Sequence, residues 1–381
     1  MYTLRKYINI LMKKVRIPIA ARRLILKLGM HGSKPLNGDD CLLSLKKVSP
    51  FPDGTSIRST DIMKREKIYD LAVIVPVYNN ANLLIKCIKS LLDQQTNYSY
   101  QIIVVDDGST DNTETILKYL KKFDLHKKLK IIKQENRGFS GARNRGINES
   151  CAKYISFVDS DDFVSTGNFI NTMLMAAYNT NADIVECSYL SFSEDASYKV
   201  PHIETSGLFD NPFKVLYGYP WGKLYKSSLF GDTEFPEGFW YEDTMGMYRL
   251  WPKAKTIKLI SPVLYYYRIN PNGITAASMG KTKSLDSLYV TIQLLRDCRI
   301  SKVKLDNRLY NFTLKQMATN FIRILPLTKD VLLNAFFVMA NVLDEYFPSS
   351  FFKTDDVDLT IVESSLRSRD YKKFVAYCLS L

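Results

Sequence analysis

The sequence predicts an α/β fold on a mostly parallel central sheet, with a basic extension before it and a helical region after it. Three observations predict this. Short apolar strands alternate with helix-period segments from Leu71 to about Cys187. Acidic residues cluster just after two of those strands, at the end of an open α/β sheet where ligands bind. Beyond about Ala276 the apolar period is helical throughout.

In chain order, 71–77 (LAVIVPV) reads as a buried strand and 82–93 as a helix with apolar residues at helical spacing. A second strand follows at 101–105, a helix opens at Asp111 and runs to about Phe123, and 129–132 is a third strand. Residues 140–150 read as a helix, 154–158 as a fourth strand and 183–187 as a further one. Helices are expected at 285–299, 309–324, 331–345 and 371–381. Residues 31–66, rich in Gly, Pro, Ser and Asp, read as an irregular connector. The expected division is 1–67 extension and connector, 68–275 α/β sheet domain, and 276–381 helical region.

At 381 residues the chain is long enough for more than one domain. Its 52 Lys+Arg against 39 Asp+Glu give a net charge of +13, which suits an anionic partner without choosing one. The six cysteines include no C-x-x-C pair and read as reduced small hydrophobes; none of the three histidines has metal-site spacing. No stretch reaches the roughly 18 apolar residues of a spanning helix. The first 38 residues lack acids and interleave Arg5, Lys6, Lys13, Lys14, Arg16, Arg22, Arg23 and Lys27 with aliphatics. Two readings stay open for them: an amphipathic helix on an anionic membrane surface, or a helix docked on the sheet domain. The expected location is cytoplasmic, with the inner face of the cell membrane as a peripheral site.

The chemistry concentrates at strand ends. Phe157–Val158–Asp159–Ser160–Asp161–Asp162–Phe163 delivers three acids on four positions. Carboxylates packed so closely repel unless donors or a cation offset them, and a hard divalent ion shared with a diphosphate is the simplest partner. Asp106–Asp107–Gly108–Ser109–Thr110–Asp111 places a doubled acid before a tight turn and a capping Asp. A carboxylate there accepts from a base imide or a ribose hydroxyl. Asn136–Arg137–Gly138–Phe139–Ser140–Gly141–Ala142–Arg143–Asn144 enters a helix whose free amides suit an anion, with Arg143 able to reach phosphate or base. Taken singly, each has a plain structural explanation: an acidic turn, an N-cap, a glycine-rich helix start.

The order of these segments, with Pro76–Val77–Tyr78–Asn79 after the first strand, resembles the family 2 glycosyltransferases over about 70–275. These are inverting enzymes with the GT-A nucleotide-sugar-binding fold. The resemblance implies nucleotide-sugar contacts from Pro76, Tyr78, Asp107, Asn136, Gly138, Arg143 and Asp159. It implies Asp161 as ligand of a divalent metal (Mn²⁺ or Mg²⁺), with Asp159 on the ribose or sharing the metal, and Asp107 on a base, uracil first. Downstream, Trp221–Gly222–Lys223–Leu224–Tyr225 and the stretch 235–244 resemble acceptor-side segments. There the resemblance gives Asp243 the role of general base and puts Trp240 and Glu242 on the acceptor side. A helix start bearing acids explains Glu242 and Asp243 structurally as well. Arg268 in the closing strand has two readings, diphosphate contact or structural ion pair. One departure stands out: relatives often supply a His near the domain's end, whereas this chain has Tyr267–Arg268–Ile269–Asn270–Pro271–Asn272. Asn270 or water would complete the metal's shell.

The expected activity is transfer from a UDP-sugar to a hydroxyl of a cell-surface glycan precursor, such as a lipid-linked capsule or exopolysaccharide oligosaccharide. Alternatives are transfer to a teichoic-acid polymer and a degenerate scaffold without turnover. A sugar nucleotidyltransferase would want G-x-G-T-R after the first strand, which Pro76–Val77–Tyr78–Asn79 is not. Nucleic acid is not expected as a partner, because the loop tips are acidic.

Overall fold

The computed structural model describes residues 37–59, 66–193, 197–198, 203, 205–270 and 280–380. The basic extension through residue 36, with its membrane and docking readings, lies outside the described residues, as do Pro271 and Asn272. The described residues fall into two compact units: 37–52, 239–241 and 280–380 in one, 53–238 and 242–270 in the other.

The chain's first described helix, α1 (Gly38–Val48), falls where an irregular connector was expected. Its signals are local. Asn37 accepts a hydrogen bond from the Asp39 amide, Asp39 and Asp40 sit in the first turn, and Lys46 and Lys47 in the last. Each complements the helix dipole.

The sheet unit alternates β1 (Tyr69–Val77), α2 (Ala81–Leu92), β2 (Tyr100–Asp106), α3 (Thr113–Lys121), β3 (Leu129–Lys133), α4 (Gly138–Glu149) and β4 (Ala152–Phe157). It continues with β5 (Phe163–Val164), α5 (Phe169–Thr180), β6 (Ile184–Phe192), β7 (Ser197–Tyr198), β8 (Gly207–Phe209), α6 (Pro212–Val215), β9 (Lys223–Lys226) and β10 (Ile257–Arg268). The strand order is β3-β2-β1-β4-β9-β6-β10-β5, with β7 on β6 and β8 on β10. β1 pairs parallel with β2 and β4, β2 with β3, and β6 with β10. β9 runs antiparallel to both β4 and β6. The mostly parallel α/β sheet is therefore present as expected.

Parallel strands are buried on both faces, hence their unbroken apolar runs. Leu71, Val73 and Val75 of β1 join a core with Leu84, Ile88 and Leu91 of α2. Ile74 faces the other way, against α4. At Gly146 a Cβ would come within 2.4 Å of Ile74 Cγ2, so glycine there lets helix and strand approach. Pairing of β1 with β4 ends at Ile74, so Pro76, with no N–H to give, has a strand neighbour on one side only.

The second unit contains α1 with α7 (Asp286–Ile300), α8 (Asn307–Ile324), α9 (Lys329–Tyr346), α10 (Val357–Arg367) and α11 (Tyr371–Ser380). Four of these match the expected helices; α10, capped by the Asp356 carboxylate, was not expected. Phe239–Tyr241 belongs to this unit: the Trp240 amide donates to buried Asp286 (2.8 Å), and Arg323 lies 4.0 Å over the Tyr241 ring. No described helix is long and apolar enough to cross a membrane.

Candidate active site

The site is built at the carboxyl ends of β1, β2 and β4. Asn79, after β1, adopts a left-handed conformation (φ 48°), and its side-chain oxygen accepts from the amides of Thr110 (2.7 Å) and Asp111 (3.3 Å). Asp111 in turn accepts from the Ala81 and Thr113 amides, so the loops after β1 and β2 are tied together. Asn80 donates to Ser160 Oγ (2.9 Å), which adds the loop after β4 to the same assembly. Tyr78 projects from it, 48% exposed.

In the doubled acid, Asp106 Oδ1 accepts from the Ser109 amide and closes the turn. Asp107 is buried. Its Oδ1 accepts from Gln134 Nε2 (2.7 Å) and the Arg137 amide (2.9 Å), whereas Oδ2 takes no hydrogen bond from the described residues. Gly108 sits at φ +79°, and a Cβ there would press on the Asn136 amide at 3.1 Å. That position needs glycine both for its backbone angle and for the approach of the next loop. Asn136 is exposed beside it, and Gly138 begins α4 at φ +72° with open space where a Cβ would go.

α4 carries the rest of the site's framework. Arg137 pairs in two-pronged fashion with Glu237 (3.0 and 2.7 Å), Ser140 donates to the Pro236 carbonyl, and Asn144 exchanges two 2.8 Å hydrogen bonds with the backbone of Phe235. About 9 Å along the helix from Arg137 lies Arg143, at 1.5 Å rise per residue. Arg143 is buried, with Nη1 on Glu242 Oε1 (2.5 Å) and Nη2 on Asp159 Oδ1 (3.1 Å). Arg143, expected at phosphate or base, therefore bridges the turn after β4 to the Glu242–Asp243 segment. Glu242 is correspondingly buried behind this ion pair.

The turn after β4 treats its three acids differently. Asp159 has Arg143. Asp162 is buried; its Oδ2 accepts from the Tyr265 hydroxyl (2.6 Å) and its Oδ1 from the Arg268 amide (2.7 Å). Burial, then the charges of Asp159 and Asp161, still push its pKa well above the ordinary carboxylate range. Asp161 is pushed up to about 6, by burial first and Asp159 second, against hydrogen bonding from Asn270 and the charge of Arg268. Arg268 Nε donates to the Asp161 carbonyl, and its guanidinium lies 4.7 Å over Phe192. The buried Cys87 thiol sits beneath, 3.6 Å from the Asp159 carbonyl, and burial followed by these carboxylates raises its pKa strongly. Among the described residues no group of three His, Cys, Asp or Glu side chains is placed to hold a metal ion.

Asp243 lies in a single 3₁₀ turn, Glu242–Thr244, and is half-buried. Tyr225 relates it to the rest: burial of that phenol, then Glu186 and Asp243, raise its pKa, while Arg143 opposes them. Asp243 and Arg143 thus act on one hydroxyl.

Hydrogen bonds thus tie Asp107 to Arg137 at the start of α4, and Arg143 on the same helix to Asp159 and to Glu242, the residue before Asp243. Trp240 belongs to the helical unit. The sequence reading missed Tyr265 as a partner of Asp162, Asn144 as the clasp of Phe235, and a buried ion pair between Lys223 and Glu186 (3.1 Å). A lysine inside the apolar run Trp221–Tyr225 was the one available signal, since a lysine there needs a buried partner.

A family model described as glycosyl transferase family 2 matches residues 72–240. Glycosyltransferase GlyG of Streptococcus pneumoniae is 30% identical over 245 residues, covering 60% of this chain and 80% of GlyG. Glycosyltransferase GlyA of the same species is 34% identical over 221 residues, covering 54% of this chain and 31% of GlyA. EpsJ of Bacillus subtilis, an uncharacterized glycosyltransferase, is 33% identical over 219 residues, covering 54% of this chain and 62% of EpsJ. The chain thus matches under a third of the length of GlyA and most of GlyG. Among solved structures, S. aureus TarS 1–349 in complex with UDP-GlcNAc aligns with a TM-score of 0.63 at 17% identity, over 81% of this chain and 90% of that one. That likeness is one of fold, the GT-A arrangement.

Proposed function

This chain belongs to glycosyl transferase family 2, and from that premise we propose that it moves a sugar from a UDP-sugar to a hydroxyl of a lipid-linked cell-surface glycan precursor, inverting the anomeric centre. The observation that carries the reading is Arg143, one buried cation held between Asp159 and Glu242. It fastens the turn suited to a diphosphate to the segment that bears the candidate base.

The donor's base is read by Asp107. Its Oδ1 is committed internally, and Oδ2 accepts the imide N–H of uracil. The UDP-GlcNAc bound by TarS supports a UDP donor. Tyr78, Asn136 and the amides at Gly138 border the nucleotide; Pro76 stiffens the strand end that carries Tyr78.

A divalent ion fits Asp161. Asp159 has the Arg143 guanidinium, whereas half-buried Asp161, with its pKa pushed up to about 6, and buried Asp162 both keep raised proton affinities despite their hydrogen-bond partners. Such a site is short of positive charge. Asp161 would hold Mn²⁺ or Mg²⁺, with Asn270 beside it. The ion would supply Lewis-acid stabilisation of the leaving diphosphate.

Asp243 takes the acceptor hydroxyl's proton as that oxygen attacks the anomeric carbon, and the C–O bond to UDP breaks on the opposite face. A sugar hydroxyl is a poor nucleophile until its proton is accepted in the transition state. Glu242 and Arg143 hold the Asp243 turn. A teichoic-acid acceptor is the second reading, favoured by the net charge of +13.

The test is a panel of nucleotide sugars assayed for metal-dependent nucleotide release, with and without lipid-linked or teichoic-acid acceptor. UDP release from one donor, stimulated by one acceptor, is the expected result. Asp243→Asn should bind donor as the parent does and lose transfer by about 10²-fold or more. Undiminished transfer by that variant would remove Asp243 from the base role.

A further inference from the structure

We infer that Tyr265 is a positioning residue whose hydroxyl sets the shape of the acidic turn. The inference rests on reading that turn as the diphosphate and metal side of the site. One hydroxyl makes two contacts there: it donates to Asp162 Oδ2 (2.6 Å) and accepts from the Asp159 amide (3.2 Å). It therefore spans the turn across the position of Asp161, pinning a residue on each side. The turn's own backbone hydrogen bond, Asp162 N–H to the Asp159 carbonyl at 3.0 Å, closes the same loop.

The ring is fixed independently of the hydroxyl. Tyr265 is fully buried on β10 and stacks on Trp221 with centroids 4.6 Å apart and planes 10° from parallel. Trp221 stacks in turn on Tyr219 (4.5 Å, 3°) and on Tyr267 (5.1 Å, 14°). A fully buried phenol stacked on a tryptophan that is itself stacked on two further rings has little freedom to follow a moving loop, so the loop conforms to it. Asp161 makes neither of these two contacts; the partner its carboxylate does have is the Asn270 side chain. Tyr265 never touches substrate in this scheme; it acts through Asp159 and Asp162.

The substitution that isolates the hydroxyl is Tyr265→Phe, which keeps the stack. Calorimetric titration of the full chain with UDP in the presence of MnCl₂ should show binding weakened about tenfold, the size expected for losing a hydrogen bond to a carboxyl group. Donor KM should rise in parallel while kcat at saturation stays within about threefold, since the acceptor side is untouched. The thermal midpoint should stay near the parent's. Tyr265→Leu, which also loses the ring, should lower that midpoint as well. A role in packing alone predicts the reverse split, Phe equal to the parent in UDP·Mn²⁺ binding and only Leu impaired, and that result would overturn the inference. Asp161→Asn separates the two layers. If it abolishes UDP·Mn²⁺ binding while Tyr265→Phe binds as the parent does, Tyr265 positions nothing. If Asp161→Asn binds UDP·Mn²⁺ as tightly as the parent, the turn is not the diphosphate side and both readings fall.

Discussion

Two acidic turns flank β1, one ending β2 and one ending β4, and they are built on opposite principles. At Asp106–Asp107 the acids are satisfied by hydrogen bonds: Ser109, Gln134 and Arg137 supply the donors, and a single oxygen of Asp107 is left over. At Asp159–Asp162 hydrogen bonds and one guanidinium do not suffice. Asp161 and Asp162 keep raised proton affinities despite Asn270, Tyr265 and the Arg268 amide. On the proposed reading the difference would separate two kinds of recognition, a leftover lone pair suiting a neutral donor group and a charge deficit suiting a cation.

The largest effect that would break this contrast is on stability. Arg143→Gln leaves Glu242 and Asp159 without their shared cation, and removing one partner of a buried ion pair costs about 3–5 kcal/mol. Chemical denaturation should register a loss of that order, and a loss below about 1 kcal/mol would mean that water already screens the pair. Next is rate. Asp161→Asn should lower metal-dependent nucleotide release by about 10²-fold or more, the several kcal/mol expected of Lewis-acid assistance.

The third prediction is a pH dependence. The folded pKa of Asp161, about 6, lies above its ordinary value of 3.8. Protonation therefore stabilises the ligand-free fold, fully at low pH, and this contribution is lost as pH rises through about 6. Its size is at most about 3 kcal/mol, at 1.36 kcal/mol per pKa unit. Relative to Asp161→Asn, the parent should gain stability between pH 7 and pH 4 in denaturant titrations. Affinity for UDP·Mn²⁺ should fall over the same interval, because the ion must displace that proton. The smallest effect sharpens the other side: Asp107→Asn keeps an oxygen for Gln134 and Arg137 but turns the spare acceptor into a donor. Donor KM should rise about tenfold with kcat nearly unchanged, the size expected of one charge-assisted hydrogen bond.

Legibility in the sequence follows the same divide between local and distant partners. The strands 71–77, 101–105 and 154–158 were readable because burial on both faces leaves them mostly apolar, with Gln101 and Ser156 the polar exceptions. The acidic turns were readable because their residues are contiguous. α5 was not: Asn168 makes no side-chain cap, and the helix stops at a left-handed Asn181 rather than at a glycine. α1 was hidden by its Gly- and Pro-containing surroundings, although its cap and end charges were in plain order. The partners of Arg143 lie 16 and 99 residues away, and Tyr265 meets Asp162 across 103, so nothing in local pattern announces them. Motif reading therefore located the acids and could not say which of them were already compensated.

Strand β9 carries a consequence for how the molecule comes into being. Four residues, Lys223–Lys226, join β4 to β6 and so complete the sheet between its two parallel halves. A ribosome delivers β1–β4 and the acidic turn well before this strand, and the Tyr265 phenol about forty residues later still. Until then the nascent chain exposes two unpaired strand edges, the state most open to wrong pairing. A chain truncated before residue 223 should accordingly aggregate, whereas one carried past β10 has every partner it needs to close.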